Sequence, residues 1–206
     1  MKIEKIKSLL IDDVKVIRFS KFNDFRGYFT EIYNKKDFLK IPDFNNIEFQ
    51  QVNEAFSFEN TFRGLHFQWN PFMGKLVRLI YGRLIDFALD LRPNSKTYKN
   101  IVAYDVQCTK EYCEWIWVPP GFAHGAWLLN NSMIEYFCSG TYNPNCEKTI
   151  SLWANDINWD LCDEDIKNKI LNIDKTTLNI KQNDINGLSI NEFENSETGN
   201  IFNSIL

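Results

Sequence analysis

Apolar and polar residues alternate in short runs along most of this chain, and clusters of Gly, Pro and Asn separate the runs. Alternation with a period of two marks a strand with one face buried. VKVIRF, residues 14–19, predicts a first strand. Residues 29–33 predict a second, and NKKDFLKI after it has room for a short helix. Strands follow at residues 47–56 and 61–69. Val77, Leu79 and Tyr81 alternate before Gly82, and Leu84, Asp86 and Ala88 after it, so residues 75–92 read as a hairpin. Further strands are expected at residues 100–106, 114–118, 124–129, 133–138 and 148–153, with turns at Pro119-Pro120-Gly121 and Asn130-Asn131. Many short strands punctuated by turns predict an all-β sandwich or barrel. After Trp159 the pattern changes. Residues 161–171 predict a helix, and from about Lys175 the chain is rich in Asn, Ser and Glu with scattered Ile, Leu and Phe. The expected organisation is a barrel over residues 1–159 and, in the same domain, a helix and a loosely packed, irregular extension over residues 160–206.

Composition narrows the class. A length of 206 residues fits one domain, and 44% hydrophobic with 15% aromatic residues supplies a sizeable core. A net charge of −4 without a basic run argues against nucleic acid, whose phosphates demand one. No run of 18 apolar residues predicts a membrane span, and the N-terminal MKIEKIKSLLIDDVKV lacks the apolar region of a secretion signal. A cytoplasmic protein is expected. Cys108, Cys113, Cys138, Cys146 and Cys162 are odd in number and form no Cys-x-x-Cys pair, so they read as free thiols in a reducing compartment, with a disulfide or zinc site as the rival reading.

The chain has only two histidines, His66 in RGLHFQ and His124 in PPGFAHG. Three imidazoles for a metal centre are unavailable, and no third ligand is spaced to accompany His66, so neither metal nor another cofactor is expected. An imidazole titrates near neutrality, which suits His66 to proton transfer. An isolated strand histidine is more often a satisfied core residue. Here Arg63, Lys75 and Arg78 lie near it in sequence, and strand alternation lets Lys75 point inward. An inward cation needs an anionic partner such as a diphosphate or a developing enolate, whereas surface ion pairs are the ordinary alternative.

Several motifs together carry a resemblance. They are DFRGYFTE at residues 24–31, Gln51-x-Asn53, RGLH ending at His66, KLVR from Lys75 to Arg78, and the series Gly82, Asp86, Asp90, Arg92 followed by Ser95. PPGFAHG at residues 119–125 follows, and then Tyr136, eight residues before Pro144. In this combination the chain resembles the dTDP-4-dehydrorhamnose 3,5-epimerase family from about residue 12 to residue 159.

The resemblance implies a cupin-type jelly-roll barrel, a homodimer and no metal. It implies a nucleoside-diphosphate 4-keto-6-deoxy sugar as substrate, inverted at C3, C5 or both in deoxysugar (rhamnose-like) biosynthesis for surface polysaccharide. In that likeness His66 matches the base, Tyr136 the opposite-face acid and Lys75 the cation beside the C4 oxygen. Gln51, Asn53, Arg63 and His124 match substrate contacts. Arg26, Phe29 and Glu31 match a segment, residues 24–31, that reaches the neighbouring subunit's site. A late Asp that supports the base is matched by Asp174, with Asp163 and Asp165 as rivals. Spacing from Pro144 selects Tyr136 as the acid, whereas spacing from His124 selects Phe137. Thymidine, cytidine and guanosine remain open as the nucleoside. A 3,4-ketoisomerase and a non-catalytic sugar-nucleotide binder are the competing functions.

Overall fold

A computed structural model describes residues 3–205 and is built mainly of antiparallel strands. In chain order these begin with β1 (Ile3–Ser8), β2 (Lys15–Ser20), β3 (Phe22–Asp24), β4 (Gly27–Phe29) and β5 (Gln51–Ser57). Next come β6 (Thr61–Gln68), β7 (Lys75–Tyr81), β8 (Leu84–Asp90) and β9 (Ile101–Val106). The last are β10 (Tyr112–Val118), β11 (Phe122–Leu128), β12 (Ser132–Cys138) and β13 (Glu147–Thr149). One sheet has the order β1-β2-β10-β7-β12-β5, a second β13-β6-β11-β8-β9, and β3 and β4 form a separate hairpin.

The inner faces of the two large sheets share one apolar cluster. Val77, Leu79, Ile116 and Ile134 come from the first sheet, and Leu84, Ala88, Ala126 and Leu128 from the second. This is the jelly-roll sandwich expected. The outer faces are covered too, which explains why β8 is buried along its whole length. Its even positions Leu84, Asp86 and Ala88 face the sandwich interior, while Ile85, Phe87 and Leu89 belong to a second cluster outside. A short helix α1 (Lys35–Phe38) and the chain around it cover the first sheet, packing Phe38 and Phe44 on Phe19, Trp115 and Trp117.

Four expectations need correction. Residues 75–92 are not a hairpin: β7 pairs with β10 and β12, and β8 with β11 and β9. The chain turns a corner between sheets at Gly82, where φ is +99° and a Cβ would collide with Ser132. The strand expected at residues 29–33 is instead β4, ending at Phe29, and β1 precedes the expected first strand. Of the five cysteines, Cys108 and Cys113 pair sulfur to sulfur across the β9–β10 turn, and Cys138, Cys146 and Cys162 are free.

The fourth correction concerns the chain after Trp159, which is not loosely packed. It forms α2 (Glu164–Leu171), α3 (Gln182–Ile185), α4 (Ile190–Glu194) and α5 (Glu197–Phe202). Ile170, Ile190, Phe193 and Phe202 are fully buried against the outer face of the second sheet. The anchors are widely spaced among polar residues, so no short window of sequence shows a periodic face. Phe193 and Phe202 lie edge to face at 5.0 Å, and each meets Phe67 of β6. Among the described residues no helix is long and apolar enough to cross a membrane.

If this strap is part of the core, Phe193→Ala should cost about 3–5 kcal/mol. Leu10→Ala, at a side chain 71% exposed, should stay within about 0.5 kcal/mol of wild type. Urea denaturation of the two variants measures both.

Candidate active site

The sandwich interior is apolar at one end and polar at the other. The polar end holds a cavity of about 320 Å³, lined by His66, Lys75, His124, Tyr136 and Cys138 among others. A contiguous lobe adds Arg63 and Ala55. The strands deliver these side chains by alternation. On β12, Ile134, Tyr136 and Cys138 face inward. On β7, Lys75 faces the cavity, whereas Arg78 faces outward, where its Nε donates to Glu135 at 3.1 Å. The inward cation anticipated from sequence is therefore Lys75 and not Arg78.

His66 on β6 and His124 on β11 are cross-strand neighbours. Each imidazole leans on its own buried carboxylate. His66 Nε2 lies 2.9 Å from Asp184 Oδ1, and His124 Nε2 lies 2.8 Å from Asp86 Oδ2. Asp86 is fully buried on β8, and Asp184 is 4% exposed on α3. A carboxylate only accepts, so the neutral form of each ring carries its proton on Nε2 and keeps Nδ1 as its basic nitrogen.

Asp184, and not Asp174, supports His66. Asp174 is exposed and caps the short helical turn Lys175–Thr177, accepting from Thr176 N at 2.9 Å and Thr176 Oγ1 at 2.7 Å. Its rival Asp163 caps α2 by accepting from Ile166 N at 3.0 Å, and Asp165 is exposed in the first turn of the same helix. Asp184 Oδ2 also accepts from Gly64 N at 3.3 Å. Gly64 has φ +121°, and a Cβ there would collide with the backbone of β11, so glycine permits both the close strand approach and the exposed amide. Ser151 Oγ donates to Ile185 O at 2.8 Å and fixes α3 beside β6.

Burial pulls the Lys75 ammonium below the ordinary lysine value, against the opposing charges of Cys138, Glu147 and Asp86. Nζ of Lys75 makes no hydrogen bond to the described residues. Burial also raises the Tyr136 phenol, which keeps it a proton donor at neutral pH. Phe137 points the other way and is 8% exposed, packed on Trp115, Tyr33 and Phe49 at 5.4–5.6 Å. A shift of one residue on a strand changes the face, so only Tyr136 of the two reaches the cavity.

Gln51 and Asn53 of β5 line the rim and are tied together by Gln51 Nε2 donating to Asn53 Oδ1 at 2.9 Å. Arg63 Nε is held by Ser57 Oγ at 3.0 Å. Arg26, Phe29 and Glu31 do not line the cavity of their own chain. Arg26 pairs with Asp24 at 2.6 Å, Phe29 is 68% exposed, and Glu31 accepts from Asn34 at 3.1 Å. Two lining residues the sequence reading missed are Tyr142 and Glu147, joined by a 3.0 Å hydrogen bond. Among the described residues no set of three His, Cys, Asp or Glu side chains is placed to hold a metal ion. A base, a cation and a neutral phenol around one void suit proton removal beside a carbonyl and its return from another direction.

Comparison with known proteins agrees with this chemistry. A family model described as dTDP-4-dehydrorhamnose 3,5-epimerase matches residues 8–185. The chain is 40% identical over 159 residues to a dTDP-4-dehydrorhamnose 3,5-epimerase of Sinorhizobium fredii, covering 74% of this chain and 79% of that one. It is 34% identical over 139 residues to the Escherichia coli protein of the same name, covering 66% and 74%. A dTDP-6-deoxy-D-glucose-3,5-epimerase of Legionella pneumophila, solved in complex with dTDP-4-keto-L-rhamnose, superposes with a TM-score of 0.76 at 27% identity over 91% of this chain and 93% of that one.

The hydrogen bonds fix tautomers that can be read directly. In wild-type protein, 15N NMR at a pH where the rings are neutral should show Nε2 protonated and Nδ1 bare for both histidines. Asp184→Ala should release His66 to a mixture of tautomers and leave His124 unchanged; a His66 spectrum that does not respond would mean that Asp184 does not set the ring.

Proposed function

The chain belongs to the dTDP-4-dehydrorhamnose 3,5-epimerase family, and we propose that it epimerises C3, C5 or both of a thymidine-diphosphate 4-keto-6-deoxy sugar. The observation that carries this reading is the convergence of His66, Lys75 and Tyr136 on one cavity. The ketone at C4 acidifies the hydrogens on its neighbours. His66 Nδ1 takes the proton from C3 or C5, the C–H electron pair becomes a double bond to C4, and the carbonyl pair moves onto the C4 oxygen to leave an enolate. Asp184 stabilises the imidazolium formed, as a buried carboxylate does for a ring it already holds. Lys75 is the cation for the enolate oxygen. Tyr136 donates its phenolic proton to the same carbon from the opposite face, the carbonyl reforms with the configuration inverted, and the imidazolium and phenolate return to their starting forms by giving up and taking up a proton from solvent. Gln51, Asn53, Arg63 and His124 hold the substrate.

Thymidine is chosen over cytidine and guanosine because the relatives carry it in their names. We assign the protein to the cytoplasm and to a homodimer. The β3–β4 hairpin supports the dimer. Phe22, Phe25, Tyr28 and Phe29 are 51–98% exposed there, which is costly for a cluster of rings unless something covers it. A second copy would cover it and bring Arg26, Phe29 and Glu31 to the partner's cavity. We assign the product to deoxysugar biosynthesis, with surface polysaccharide as its proposed destination.

Deuterium exchange from solvent tests the chemistry. Wild type should label C3, C5 or both of the 4-keto sugar and invert what it labels; a 3-keto product would mean ketoisomerisation, and no label a binding protein. His66→Asn should lower wash-in by about 10²–10⁴. Tyr136→Phe should keep wash-in at one face while forming little inverted product. Unchanged inversion by Tyr136→Phe would remove Tyr136 from its role.

Assembly is tested separately. Light scattering at micromolar protein should give twice the chain mass, and Phe25→Ser with Phe29→Ser should shift the mass toward one chain. A fully active monomer would refute the dimer.

A further inference from the structure

The epimerisation chemistry makes no use of the paired cysteines. Cys108 follows β9, and Cys113 lies on β10. Thr109 N donates to Tyr112 O and Glu114 N to Gln107 O, each at 2.8 Å, so ladder bonds flank the two cysteines on both sides. Between them Cys108 and Cys113 form the non-hydrogen-bonded pair, the arrangement that brings facing side chains closest. One tight turn therefore holds the two sulfurs together without help from any distant segment.

Lys21 makes the two sulfurs unequal. Its Nζ lies 3.4 Å from Cys108 Sγ and donates to Thr109 O at 2.7 Å. Cys108 is half-buried, whereas Cys113 is buried. An ammonium beside a thiol favours the thiolate, which is the reactive form. Burial, and then the charge of Arg78 on β7, hold the Lys21 ammonium below the ordinary lysine value, while Glu111 in the turn opposes them. Tyr28 offers Lys21 only its ring face, 4.2 Å away. Glu114, next to Cys113 in sequence, is taken by Arg18 and the Tyr104 hydroxyl at 2.7 and 2.8 Å. An anionic Cys108 sulfur is thus the counter-charge within reach of Lys21.

We propose that Cys108 and Cys113 form a reversible thiol–disulfide site in which Cys108 is the reacting sulfur, Lys21 activates it, and the β3–β4 hairpin responds to its state. The oxidant is a hydroperoxide. The Cys108 thiolate attacks one peroxide oxygen, the O–O bond breaks, and hydroxide leaves to give a sulfenic acid on Cys108. Cys113 then attacks the Cys108 sulfur, its proton leaves with the hydroxyl as water, and the disulfide forms. Two thiols have lost two electrons, and the peroxide has gained them. A glutathione-type thiol reverses the step: it attacks Cys108, the Cys113 thiolate leaves, and a second thiol frees Cys108 and carries away the new disulfide. The site rests on the cytoplasmic assignment, where disulfides are opened and reformed, and not on the epimerase reading.

The link to the hairpin runs through the same lysine. Lys21 leads into β3, and its N donates to Glu111 O at 2.8 Å. Asn23 Nδ2 donates to Lys110 O at 2.9 Å, and the Lys21 ammonium lies over the ring of Tyr28 on β4. The cysteine turn is therefore the seat of the hairpin. With the thiols free, a Cys108 thiolate pairs with Lys21 and tightens that seat. The disulfide leaves a neutral sulfur in its place.

Alkylation of the reduced protein by iodoacetamide across a pH series, read by mass spectrometry, tests the activation. Cys108 should reach half its limiting rate at least about one pH unit below an ordinary thiol. Lys21→Met should slow Cys108 about tenfold at pH 7 and leave the half-buried Cys146 unchanged. With hydrogen peroxide and dimedone, Cys113→Ser should trap a sulfenic acid at Cys108, and Cys108→Ser should trap none at Cys113. Hydrogen exchange at residues 22–29 should be faster in the disulfide form than in the dithiol form. Three results would overturn the site: Cys108 alkylating with the pH profile of an ordinary thiol, trapping at Cys113 instead of Cys108, and a wild-type disulfide that millimolar glutathione does not open. The first and third need no variant to fold. Identical exchange in the two forms would overturn the link to the hairpin. Failure of the epimerase reading looks different, since it is the absence of deuterium wash-in by wild type.

Discussion

The contact on which the rest depends is the hydrogen bond between His66 and Asp184. It joins positions 118 residues apart, with the Asp184 end buried and the His66 end opening onto the cavity. A buried carboxylate is tolerated only when its oxygens are engaged, and here one oxygen takes the imidazole and the other the Gly64 amide. For that to happen α3 must lie against β6, which requires the strap of residues after Trp159 to lie across the second sheet. Phe193, Phe202 and Ile190 provide the apolar attachment, and Ser151 the polar one. Stability of the strap and orientation of the imidazole are thus one problem with one solution.

The same logic runs through the cavity. Its polar groups come from β5, β6, β7, β11 and β12, and the sequence order of these strands bears no relation to their proximity. Two imidazoles sit side by side on neighbouring strands, yet each has its own carboxylate, one from β8 and one from α3. Separate anchoring keeps the two rings from competing for one acceptor. It also lets them hold different environments a few ångströms apart.

Much of this was legible in the sequence, for reasons that can be stated. Strand alternation placed most of β5 to β12, and local motifs identified His66, Lys75, Gln51, Asn53, Arg63 and His124, all of which line one cavity. These groups sit on strands, where a period of two translates directly into facing. What was not legible depended on distance or on turns. The corner at Gly82 has the same alternation on both sides as a hairpin, so the pattern cannot say that β7 and β8 belong to different sheets. Asp184 stands in a polar stretch with no motif of its own, and the residues nearer the recognisable barrel, Asp174 among them, were the natural candidates. The matched family segment extends to residue 185, past the point where the short motifs end, and that extent was the available signal. The choice between Tyr136 and Phe137 was a question of register, and it is decided by the aromatic cluster that claims Phe137.

The strap has a consequence for how the protein is made. During synthesis the strands leave the ribosome before the segment that covers the second sheet. Until that segment follows, Phe62, Phe67, Phe87 and Leu89 face water as a broad greasy plate. A nascent barrel in that state is exposed to chaperones and to self-association, and translation speed across residues 160–202 becomes a determinant of yield. A premature stop between residues 160 and 183 would release a chain that has every strand of the sandwich and neither its cover nor its Asp184, and such a product would be a substrate for quality control.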